Sequence, residues 1–242
     1  MSEANMKKNA SGFTLAEMAI VLVIVGLLIG GLLVPLTTQI EQRRVGETQK
    51  ALDEIKEALI GFAVANGRLP RPATAFNNGA ENPAACATEA ACTGFIPWST
   101  LGITKLDAWN KIIRYSVTPA FANAAFTLTT VATKTVQTRD NGGALVYLAG
   151  QAACAVATQC MPAVIFSSGK NNWGTGDAGG AFGDNSATNI DEDTNNGASL
   201  NFINRITTTN TAAATGGEFD DVVTWVPLNT LFNRMVAAQK LP

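Results

Sequence analysis

Histidine is missing from all 242 residues. Without it no Ser-His-Asp or Cys-His nucleophile can be assembled, although Lys-based variants survive on paper. Gly-x-Ser-x-Gly and Gly-Lys-Ser/Thr sequences are lacking too, which removes the nucleophile elbow and the phosphate-cradling loop. Lys170, within Ser168-Gly169-Lys170, reads as a solvated loop charge. Charge is sparse, with 17 Lys and Arg against 19 Asp and Glu for a net charge of −2. A nucleic-acid groove needs clustered basic residues on one face, and this mild acidic balance offers none. Neither an enzyme nor a nucleic-acid partner is indicated.

Cysteine is scarce but patterned. Cys86/Cys92 and Cys154/Cys160 form two pairs, each with five residues between. Zinc sites space their ligands by two to four residues and usually recruit histidine. Structural disulfides in an oxidising compartment are the better reading. Local pairing within each couple is the expectation, though four cysteines allow three connectivities.

What the chain does have is one long uncharged run, Met18 to Leu36. Crossing a bilayer takes ~20 apolar residues, so the run is long enough. At its start sits Glu17, a carboxylate that is costly in hydrocarbon unless something pairs with it. Before it comes a short polar leader with Lys7 and Lys8, ending at Gly12. A secretory signal peptide would have a shorter apolar core and a small-x-small cleavage site. Leu36-Thr37-Thr38-Gln39 provides no such site.

The Gly12-Phe13 junction with Glu17 one turn into an apolar helix resembles the prepilin signature of type IV pilins and type II secretion pseudopilins. That resemblance implies cleavage after Gly12 by a prepilin peptidase and methylation of Phe13 as the new N-terminus. Glu17 becomes the fifth residue of the mature chain and pairs with Phe13 of an adjacent subunit. Partners are then other pilin or pseudopilin subunits and an inner-membrane assembly platform. The leader carries Glu3, Lys7 and Lys8, so its removal shifts the formal charge from −2 to −3.

Residues 13–65 are expected to form one long helix. Gly26, Gly30 and Gly31 let neighbouring helices approach closely, and Pro35 is expected to kink or locally melt the helix. Beyond it Val45, Leu52, Ile55, Leu59 and Phe62 recur at helical spacing. Asn66-Gly67 reads as the C-terminal cap, with Pro70 and Pro72 preventing continuation. Lys7 and Lys8 favour a cytoplasmic N-terminus, but Arg43 and Arg44 balance them. The cysteines break that tie and put the residues after Leu36 outside the cytoplasm, in the periplasm or beyond. The division is a leader at 1–12, a transmembrane and assembly helix at 13–36, its amphipathic half at 37–66, and a globular extracytoplasmic domain at 67–242.

Within that domain residues 74–93 read as a loop closed by the first cysteine pair, and 96–101 as a short helix or turn. Strands are expected at 112–117, 126–131, 144–148, 163–166 and 222–225. Leu228, Leu231, Phe232, Met235 and Val236 mark one face of a C-terminal helix. Residues 169–200 are too polar to hold a core of their own. The fold class is α+β and pilin-like, a long N-terminal helix packed on an antiparallel sheet with a short C-terminal helix.

Shorter likenesses follow in the domain. Asp107-Ala108-Trp109 with Arg114-Tyr115 resembles the Asp-Pro-Trp-Gly…Tyr segment of the major pseudopilin of type II secretion. Ser168-Gly169, Gly174, Gly176 and Asp220-Asp221-Val222-Val223-Thr224-Trp225 resemble its C-terminal loop and closing strand. In that relative the loop binds calcium, which implies a divalent cation held by Asp220 or Asp221 with Asn171 and Asn172. The copy departs from the pattern: asparagines stand where aspartate is expected, and 179–217 looks like an insertion. Asp191-Glu192-Asp193-Thr194-Asn195 spaces oxygens like an EF-hand, but Asn196 and Phe202 fall where Gly and Glu belong. A solvated acidic loop is expected there. Core packing is expected for most of Trp98, Trp109, Trp173 and Trp225.

A soluble domain larger than that of a typical major pilin points to a minor pilin or pseudopilin. The alternatives are a major pilin of an adhesive or DNA-uptake pilus, and a membrane-anchored binding domain that does not assemble.

Overall fold

The computed structural model describes residues 12–197 and 200–241, with residues 31–35 as backbone alone. The leader with Lys7 and Lys8 therefore lies outside the described residues, apart from Gly12. Two compact units are present, Met1–Arg43 and Arg44–Pro242.

A single helix, α1 (Leu15–Asn66), belongs to both. It is not melted at Pro35. Its stop is the expected one: Gly67 takes φ 73 and its N–H donates to the Ala63 carbonyl at 2.7 Å, a left-handed cap open to glycine. In the first unit the side chains from Ile20 to Val25 are exposed at every position around the helix. A helix apolar all round is one built for lipid or for other helices.

In the second unit α1 is amphipathic. Leu52, Ile55, Leu59, Ile60 and Ala63 are buried in the main core, each large one contributing about 1.5–3 kcal/mol. Phe62 was expected on this face but is only half-buried, under the Arg68 guanidinium at 5.5 Å. Ile60 takes its place.

After α1 come β1 (Thr93–Phe95), α2 (Trp98–Leu101), β2 (Arg114–Val117), α3 (Pro119–Ala122), β3 (Thr135–Arg139), β4 (Leu145–Ala149) and β5 (Ala163–Ser167). Then follow α4 (Ile190–Asn196), β6 (Asn201–Ile203), β7 (Val222–Val226) and α5 (Leu228–Ala237). Four strands form an antiparallel sheet in the order β1-β2-β5-β7, with Tyr115 opposite Ile165 and Ile165 opposite Thr224. Strands β4-β3-β6 form a second sheet, in which β3 and β6 run parallel.

Strand β5 explains the arrangement. All five of its residues are buried, as expected of a continuous apolar run covered on both faces. Ala163 and Ile165 join the main core with α1 and α5, whereas Val164 and Phe166 join a second cluster with Val136, Phe202 and Val223. The small sheet thus backs the large one.

The strand expected at 126–131 does not form. Phe126 instead packs in the core against Phe121 at 4.8 Å and Phe232 at 6.1 Å, so side-chain burial outweighs its β-propensity. Both disulfides are local, Cys86–Cys92 and Cys154–Cys160, with Cα atoms 5.1 and 5.8 Å apart.

Candidate functional site

Two places carry unusual chemistry, one in each unit. In the first, Phe13 is 85% exposed and Leu15 92% exposed. Thr14 and Glu17 form a reciprocal cap. The Thr14 N–H and hydroxyl both donate to Glu17 Oε2 at 2.8 and 2.9 Å, and the Glu17 N–H donates to Thr14 Oγ1 at 3.2 Å. This is a capping box, in which a Thr N-cap and a Glu at N3 satisfy each other's backbone donors. The sequence signal for it was Thr-x-x-Glu, overlooked beside the charge of Glu17. Gly26 and Gly30 have no atom within 4 Å of where a Cβ would sit. Nothing in their own unit requires glycine at these two positions.

In the second unit the loop after β5 meets the start of β7. Asp107 organises one side: Oδ1 accepts the N–H groups of Trp109 and Lys111 at 2.9 and 2.8 Å, and Oδ2 accepts the Ser167 hydroxyl at 2.6 Å. The tight turn it holds passes through Asn110 at φ 61, where the resembled segment has glycine. Asparagine is among the few other residues to tolerate that region. From this turn the Lys111 ammonium reaches the loop and donates to the carbonyls of Ser168, Asn171 and Asn172 at 3.1, 2.7 and 2.6 Å. Gly169, at φ 55, lies so close to Asp220 that a Cβ would collide with its backbone.

Behind the loop, Glu192, Asp220 and Asp221 are buried, with one carboxylate oxygen of each lying within 4.8 Å of the other two. Amide donors hold them. The Asp220 N–H donates to Glu192 Oε1 at 2.8 Å, and Asn172 and Asn189 donate to Oε2 at 3.0 and 3.1 Å. The Asn171 N–H donates to Asp220 Oδ2 at 2.9 Å, and Asn195 Nδ2 to Asp221 Oδ2 at 2.8 Å. Burial and the neighbouring Glu192 raise the Asp220 carboxyl to about 6 despite the opposing Asn171 N–H and Lys111. Burial, first, and then Glu192 also push the Asp221 carboxyl well above the usual carboxylate range. Burial also lowers Lys111, against the pull of Asp220, Asp107, Asp221 and Glu192.

The sequence expectation for 191–195 is overturned. Instead of a solvated loop the stretch is helix α4, with Asp191 and Glu192 only 1% and 2% exposed. Asp191 accepts two hydrogen bonds from Arg139 at 2.7 and 2.8 Å and lies 2.8 Å from Arg205. Asn195 bonds the backbone of β6 in both directions, accepting from the Ile203 N–H at 2.7 Å and donating to its carbonyl at 2.9 Å. The expected insertion is thus docked by paired charges and amides in addition to the burial of Phe202 against Phe166. Three of the tryptophans pack on the cores as expected, half-buried Trp98 and Trp109 against the main one and Trp225 against the second. Trp173 Nε1 donates to Asp193 Oδ1 at 2.8 Å, tying the loop to α4.

Asn171 is bonded to Asp220 directly, and Asn172 reaches the same cluster through Glu192. Asn171 contributes an N–H to Asp220, and the Asn172 carboxamide lies between Glu192 and the Asn185 N–H, which donates to Oδ1 at 2.9 Å. Lys111 and Glu192 were not singled out as site residues, and no local pattern marks either one.

Among the described residues no helix is long and apolar enough to cross a membrane. The uncharged run continues through 31–35, whose side chains lie outside the described residues. Neither the curated proteins nor the solved structures gave a match to the chain. Residues 7–33 match the prokaryotic N-terminal methylation motif, which implies a membrane-anchored N-terminus, processing by a prepilin peptidase and assembly with other pilin subunits. Long helix, sheet and C-terminal helix agree with a type IV pilin fold, and the chain carries the N-terminal signature of type IV pilins and pseudopilins.

Proposed function

We propose that the protein is a minor pilin or pseudopilin, cut after Gly12 and built into a filament or secretion pseudopilus through its N-terminal helix. Residues 13–36 cross the inner membrane once, with the disulfide-bearing domain in the periplasm until assembly. The observation that carries this reading is the methylation motif at 7–33 continuing into a helix whose apolar side chains are exposed on all sides. In lipid, apolar surface gives helices no reason to associate, so small residues such as Gly26 and a polar contact must supply it. Cleavage after Gly12 makes a positive α-amino group on Phe13, and Glu17 pairs with that amine on a neighbouring subunit. Removed from solvent, the two charges attract more strongly than in water, although desolvation offsets part of the gain.

The test is quantitative detection of the subunit in filaments sheared from cells, or in the pseudopilus, beside the most abundant subunit. A small stoichiometric fraction supports the minor role. Equal abundance makes it the major pilin, and retention of all the protein in the membrane makes it an anchored domain that does not assemble.

A further inference from the structure

The likeness of the 168–176 loop to a calcium-binding loop implies a metal beside Asp220, and the residues here do not fit one. Calcium takes 6–8 oxygen ligands. Three carbonyls that could serve, those of Ser168, Asn171 and Asn172, converge on the Lys111 ammonium at 3.1, 2.7 and 2.6 Å. An ammonium has three donors, so each meets one carbonyl. The Asn172 carboxamide oxygen is taken by the Asn185 N–H, and Asn171 turns an N–H toward Asp220. Glu192 and Asp221 accept amide donors as well. In this carboxylate cluster the buried Asp220 Oδ1 has no hydrogen-bond partner among the described residues, but one free oxygen falls far short of a calcium shell. A divalent ion would meet N–H groups at Glu192, Asp221 and Asp220 Oδ2 and a fixed positive charge at its carbonyl ligands.

We infer that the Lys111 ammonium is the resident cation of this loop and that the loop is ordered without a metal ion. Placement of the lysine depends on features this chain supplies. Its stem runs against Gly174, where a Cβ would lie 2.8 Å from Lys111 Cδ. Nζ lies 5.3 Å from the centre of the Phe182 ring, a cation–π distance. Phe182, Asn185, Asn189 and Glu192 all belong to the expected insertion at 179–217. Insertion and lysine thus act as one device: the insertion closes over the ammonium and adds the carboxylate of Glu192 to the charges that hold it. This role is independent of how the N-terminal helix assembles.

Hydrogen exchange of the peptide amides in 168–186, on the full-length chain in detergent, reads the order of this loop directly. Protection in the parent is expected to be the same in excess calcium chloride and in chelator. Lys111→Met, which keeps the length of the stem, is expected to lose about tenfold or more of that protection, because three carbonyls lose a charged donor. Protection that falls in the parent on chelation, or rises with calcium, overturns the inference. So does a Lys111→Met chain as protected as the parent. Should Lys111→Met fail to fold, the parent in calcium and in chelator still decides the question.

Discussion

Thr14 and Glu17 cap the first turn of α1 reciprocally, with the Glu17 carboxylate accepting both the Thr14 N–H and its hydroxyl. Glu17 thus has a local partner in the single subunit, and its role in assembly must be separated from its role as a cap.

Three substitutions make that separation. Glu17→Gln keeps a residue able to complete a capping box but removes the charge. Thr14→Val removes the capping hydroxyl and keeps the charge. Glu17→Val removes both functions of the glutamate. The account expects Glu17→Gln and Glu17→Val to insert into the membrane and be cleaved after Gly12, yet to be lost from filaments. Thr14→Val is expected in filaments at a level near the parent's. Immunoblots of sheared filaments, from cells lacking the parental copy, check all three.

Both disulfides are expected to be intact in protein from its native envelope, shown by the absence of free thiols in mass spectrometry. They are not equivalent. Cys86 and Cys92 are buried in the main core, and their loop carries Glu89 to the fully buried Lys134, with Nζ 2.5 Å from Oε2. Cys154 lies only at the core's margin. A short closed loop contributes about 2–3 kcal/mol by chain entropy, or roughly 5–10 °C in melting temperature. Replacing Cys86 and Cys92 together by Ser is expected to cost at least that much, and more than the same change at Cys154 and Cys160. Thermal melts of the two double variants check the order.

Asp220 predicts a pH response. Its folded carboxyl is raised to about 6 by burial and by Glu192, above the ~3.9 of an unfolded chain. Between those values the folded state binds more protons, so the penalty is complete above pH 6 and is relieved as pH falls toward 4. Asp221 shifts in the same direction. Glu81, lowered by its hydrogen bond from Arg68, acts oppositely but only below its ordinary range, so the window is pH 7 to 5. The melting temperature of the parent is expected to rise across that window. Asp220→Asn is expected to flatten the rise and to be the more stable of the two at pH 7, by about 1–3 kcal/mol. Melts at pH 7, 6 and 5 check it.

Most of the scaffold was legible because apolar periodicity carries it. Leu52, Ile55 and Leu59 placed the buried face of α1, and the run at 163–166 marked a strand, whose burial on both faces only the structure shows. Gly67 marked the helix end through its left-handed backbone. Thr135–Arg139 escaped notice because its sequence, Thr-Val-Gln-Thr-Arg, has one apolar residue, and its place is decided by pairing with β4 and β6. The three-residue strands β1 and β6 are too short to show a period. At the loop site, composition misled: Asp191 and Glu192 look like solvent residues until Arg139 and the amides of Asn172 and Asp220 come from distant parts of the chain. Lys111 was hidden for the same reason, since its three acceptors are backbone carbonyls about 60 residues away, which no side-chain pattern encodes.

The central claim is that this chain becomes a filament subunit by cleavage after Gly12. Mass spectrometry of the N-terminal peptide, on protein recovered from sheared filaments or an isolated pseudopilus, tests it most directly. The account predicts a chain that begins at Phe13 and carries one added methyl group. A filament-borne subunit that still holds residues 1–12, or one that begins at another residue, would contradict it.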